Sequence, residues 1–97
     1  MTPTDFRESL EAAAPPDGIS LELRALWHAA HNGWDDAHKL VQNEPGAEAA
    51  WVHAYLHRVE GDLDNAGYWY RKARKPKSSA PLDDEWAEIA SALLARK

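Results

Sequence analysis

Proline and glycine cut this chain at Pro15-Pro16-Asp17-Gly18, Pro45-Gly46, Gly61-Asp62, Pro76 and Pro81. The stretches between these breaks carry apolar residues at helical spacing, with no alternating β-branched runs. Proline lacks an N–H and fixes φ, and glycine readily takes the left-handed backbone that ends a helix, so a helix stops or starts at each break. The chain is therefore confined to short helices joined by tight connections. Six are expected, over about 5–14, 20–32, 35–43, 47–60, 64–75 and 83–96. Asp5 with Glu8 makes a capping box for the first, and Ser20 caps the second. Asp83 or Asp84 starts the last, which carries Trp86, Ile89, Ala90, Leu93 and Leu94 on one side.

Ninety-seven residues suit one domain, 1–97, able to bury roughly two thirds of its unfolded surface. The net charge of −5 argues against general binding of nucleic acid or an anionic membrane. There is no cysteine, which removes disulfides, thiolate metal sites and cysteine nucleophiles. No run approaches the ~20 apolar residues of a membrane span. Acidic residues come early, unlike a signal peptide, so a cytoplasmic location is expected.

The middle four helices read as two copies of one hairpin. Trp34-Asp35-Asp36-Ala37 lines up with Leu63-Asp64-Asn65-Ala66 at an offset of 29 residues, and Trp27 lines up with Leu56. A period of this size marks stacked helical repeats. Gly61, Leu63, Ala66, Tyr70 and Ala73 resemble the second half of a tetratricopeptide repeat, and Trp69-Tyr70-Arg71-Lys72-Ala73 resembles the end of a Sel1-like repeat. The likeness covers about 47–74. The first copy has Val41 in place of the aromatic and no glycine matching Gly61, and neither first helix has the Leu-Gly pair of the family. The stretch from His57 to Tyr70 also resembles small bacterial proteins of unassigned function. The resemblance implies an all-α fold, a short right-handed superhelix of antiparallel hairpins with a capping C-terminal helix. It also implies a scaffold that binds a partner rather than a reaction.

Five histidines stand out. On a helical projection the second helix has a core stripe of Ile19, Leu23, Leu26, Trp27 and Ala30, beside a stripe of Arg24, His28 and His31. The fourth has Val52, Tyr55, Leu56 and Val59, beside His53, His57 and Glu60. Both carry a further face of alanines: Ala25 and Ala29, then Ala50 and Ala54. If equivalent helices stack with equivalent faces aligned, Arg24, His28, His31, His53, His57 and Glu60 line one groove. Its occupant would be a protein or peptide, or a second copy of the chain. The alternative is a metal or hydrolytic site in which His28, His31, His53, His57 and Glu60 hold one transition metal, zinc or nickel, or a His–Glu pair moves protons. The plainer reading is a polar groove whose members satisfy one another.

No phosphate loop, nucleophile elbow or paired-carboxylate setting is present, so catalysis is not the leading expectation. Trp51 and Tyr68 fall off the core stripes and are possible interface aromatics, with an Arg58–Trp51 stack as another use of Trp51. The basic run Arg71, Lys72, Arg74, Lys75 and Lys77 fits the C-terminal end of its helix dipole, and would otherwise suit an acidic partner.

Overall fold

Six α-helices and no strand form among residues 1–95, the residues that the computed structural model describes. They are α1 (Pro3–Glu8), α2 (Leu21–Ala30), α3 (Trp34–Val41), α4 (Ala47–Val59), α5 (Leu63–Ala73) and α6 (Leu82–Leu94). The fold is all-α. The expected end of the last helix at 96 lies outside the described residues.

Ser20 caps α2 as expected, its side chain accepting from the Leu23 N–H at 3.1 Å. The first helix starts earlier than the Asp5 cap predicts. Thr2 is its N-cap and Asp5 closes the capping box from inside. Pro3 explains the shift, because its fixed φ suits the first helical position. α1 is also shorter than expected, passing into a 3₁₀ turn at Ser9–Glu11. α6 follows Pro81 without a side-chain cap, and Asp83, Asp84 and Glu85 place negative charge on its first turn.

The turns inside the two hairpins, α2–α3 and α4–α5, match in backbone detail. Asn32 sits at φ 61° and Gly61 at φ 84°, again 29 residues apart. In the first turn the Asn32 N–H donates to the Ala29 carbonyl at 3.1 Å, and the Gly33 N–H to His28 at 2.8 Å. In the second turn Gly61 donates to Arg58 at 3.1 Å, and Asp62 to His57 at 2.9 Å. Asparagine is the side chain that best tolerates the left-handed region, so Asn32 does the work of the absent glycine. Ala37 and Ala66, the matched small residues, are both buried.

α4 is the central helix. It packs on α2, α3, α5 and α6, and every residue from Ala49 to His57 is buried. A helix covered on so many sides has no solvent face to give its polar stripe. Val59 and Ala30, placed on core stripes by the projection, are exposed, since each sits at the last turn of its helix. α1 docks through Phe6, fully buried and stacked on Trp86 of α6 with ring centroids 5.6 Å apart. Three tryptophan N–H groups find backbone carbonyls: Trp27 on Ser9, Trp34 on Leu56 and Trp86 on Leu26.

Candidate functional site

His53 and His57 lie one turn apart on α4 and so share a face. In this fold that face meets α3 and α5 rather than solvent. His53 is 3% exposed and His57 6%. The residue that α3 contributes is His38, which was not singled out in the sequence. Its Nε2 lies 3.0 Å from the Nε2 of His53, so one ring donates its proton to the other. The centroids of His38 and His53 are 4.7 Å apart, those of His53 and His57 4.8 Å, and those of His38 and His57 5.5 Å. One ring nitrogen from each of the three falls within 4.8 Å of the other two.

Two tryptophans wall the cluster. Trp34 stacks on His38 at 4.7 Å and Trp69 on His53 at 3.8 Å. Trp34 is itself pinned by its N–H to the Leu56 carbonyl, 2.6 Å away. Glu60 reaches back one turn, and its Oε1 is 2.6 Å from His57 Nδ1. Of the two nitrogens of His53, Nδ1 is buried with no hydrogen-bond partner.

Burial sets the electrostatics. Desolvation, then the neighbouring His38 and His57, hold the His53 ring well below its ordinary value, at about 4. Desolvation also lowers His38, with His57 adding to it and Glu60 and Asp35 opposing. His38 and His53 are therefore neutral near pH 7, the form in which imidazole ligates metals.

The residues expected along one groove divide into two places. His53, His57 and Glu60 come together, with His38. His28 and His31 pack against Trp27 instead, His31 stacked at 4.1 Å and His28 edge-on at 5.3 Å. Arg24, equivalent to His53 in the repeat, is exposed on α2. The aromatics also part. Tyr68 is 46% exposed, whereas Trp51 is covered, with the Lys75 ammonium 4.2 Å from its ring centroid. The Arg58–Trp51 stack does not form, because Arg58 turns to Glu85 of α6. The signal for His38 was Trp34, four residues earlier and therefore on the same face of α3.

A cleft of ≈ 530 Å³ opens beside the cluster, between the α3–α4 connection and α5. Pro45, Gly46, Ala50, Trp69, Lys72 and Arg74 are among its walls, so Trp69 faces both the cleft and His53. Lys72 lies over the rings of Tyr68 and Trp69, at 5.5 and 5.4 Å. No family model, curated protein or solved structure matches the chain. Among the described residues no helix is long and apolar enough to cross a membrane.

Proposed function

We propose that this chain is a non-enzymatic helical-repeat scaffold of the tetratricopeptide or Sel1-like kind, a short right-handed superhelix that binds a peptide or protein segment in the cytoplasm. The observation that carries the reading is the pair of matching turns at Asn32 and Gly61. Turns with the same hydrogen-bond pattern favour similar hairpins, and similar hairpins are what stack into a continuous surface. The cleft beside Trp69 supplies a place for a segment to lie. Trp69 and Tyr68 offer aromatic anchors, and Lys72 and Arg74 offer cations for carboxylates. The expected occupant is an extended segment pairing an apolar side chain with acidic neighbours.

Selection of peptides from a random library on the immobilised protein tests this. Acidic–apolar sequences should emerge. Their amide shift perturbations should map to residues 42–47 and 69–74, and Lys72→Glu should weaken them. Selected peptides that leave those residues unperturbed, or a library that yields none, would sink the reading. Sedimentation of the protein alone shows whether a second copy fills the cleft instead.

A further inference from the structure

The scaffold reading leaves three converging imidazoles without a role. We propose that His38, His53 and His57 form a binding site for one divalent transition-metal ion of borderline softness, zinc(II) or nickel(II), with Glu60 orienting His57 from outside the ligand set. This site does not depend on whether the cleft binds peptides.

Spacing supports it first. Nitrogens bound to a tetrahedral zinc at ~2.0–2.1 Å stand about 3.3 Å apart. His38 and His53 already hold theirs at 3.0 Å, and the third lies within 4.8 Å of both. Closing on an ion asks for shifts of side chains rather than of helices. Two of the rings sit one turn apart on α4, and the third comes from a different helix, so the arrangement is fixed by packing and not by one flexible loop.

Proton placement supports it second. With Glu60 accepting from Nδ1–H, the bare nitrogen of neutral His57 is Nε2. A carboxylate behind a histidine in this way is the usual outer partner of a metal ligand. His53 would ligate through Nε2, the nitrogen that faces His38, with its proton on Nδ1.

The donors also select the ion. Three imidazoles suit zinc, nickel or copper and not the oxygen-seeking magnesium or calcium. Three ligands leave a position of a four-coordinate ion open, and His38, only half-buried, marks the side from which solvent reaches it. Glu60 and Asp62, grouped with His57 at the rim, supply negative charge near the ion.

The test is a titration of chelator-stripped full-length protein with zinc(II) against a chromophoric competitor, repeated with cobalt(II) and visible absorption. One ion per chain and the intense bands of four-coordinate cobalt are expected. Losing an outer partner costs about 10–100-fold in affinity. Glu60→Gln should fall in that range, and His38→Gln should lose at least as much. The double variant His28→Gln/His31→Gln should bind as the parent does. Should His38→Gln fail to fold by circular dichroism, ring-nitrogen spectra of the parent decide. Zinc must then move the signals of His38, His53 and His57 and spare His28 and His31. Weak multi-site association or none, affinity undiminished in folded His38→Gln, or zinc-induced shifts at His28 and His31 alone would overturn the site.

Discussion

Arg58 of α4 donates from Nη1 to Oε1 of Glu85 in α6, 2.8 Å away across 27 residues of sequence. Glu85 is 1% exposed. Its other oxygen accepts from the Tyr70 hydroxyl of α5, and Arg58 Nη2 donates to the Ala80 carbonyl. Burial, with the bond to Glu85, pushes the Tyr70 hydroxyl well above its ordinary pKa. The Glu85 carboxylate thus ties α6 to α4 and α5, and Arg58 adds the loop before α6.

Arg58→Met should therefore destabilise the fold by about 3–5 kcal/mol, because it leaves a buried carboxylate without its cation. Tyr70→Phe removes one hydrogen bond to a charged group and should cost about 1.5–3 kcal/mol. Urea denaturation of the two variants and their double mutant checks both values. A double mutant showing simple additivity would contradict a shared network.

The His53 ring makes stability depend on pH. Its surroundings are His38 from α3, His57 and Glu60 from α4, and Trp69 from α5. The folded ring titrates near 4, below its unfolded value of 6.5. Between these values the unfolded chain binds a proton that the folded chain refuses, so stability falls as pH drops from about 6.5 to about 4. The full loss is roughly 3 kcal/mol for a shift of this size. Urea midpoints from pH 4 to 8 on metal-free protein should show the decline, and a folded His53→Gln variant should flatten it.

The two turns differ in how well their residues suit a positive φ. Asn32→Gly should be neutral or stabilise by a few tenths of a kcal/mol, since glycine meets no steric penalty at φ 61°. Gly61→Ala at φ 84° should cost about 1–2 kcal/mol. Thermal melts of the pair suffice, and equal effects from both would argue against equivalent turns.

α1 is held chiefly by Phe6. Phe6→Ala should cost about 3–5 kcal/mol, the range for deleting a buried aromatic ring. Amide exchange in residues 3–11 should rise at the same time. Loss of protection confined to α1, without a fall in global stability, would show that the segment folds independently of α6.

The order and type of the helices were legible in the sequence because proline, glycine and capping residues act within a few positions of themselves. Ser20 and the offset of Ala37 and Ala66 are examples. The candidate site was legible by half. His53, His57 and Glu60 lie on one face of one helix, which a 3.6-residue period shows directly. His38 lies on another helix, and its meeting with His53 depends on how α3 crosses α4. His28 and His31 were given the same face by analogy between repeats. Trp27, within one turn of both, offers them a nearer aromatic surface.

Local chemistry alone determined that this chain is helical, roughly where its helices break, and that two hairpin turns fall 29 residues apart. Only the tertiary structure decided which polar stripe would be buried, which cation Glu85 would take and which third imidazole would join His53 and His57. The reason is that backbone propensity is settled over a turn or two of chain. Partners for buried polar groups come from residues distant in sequence, and only the packing of helices around α4 brings them within reach.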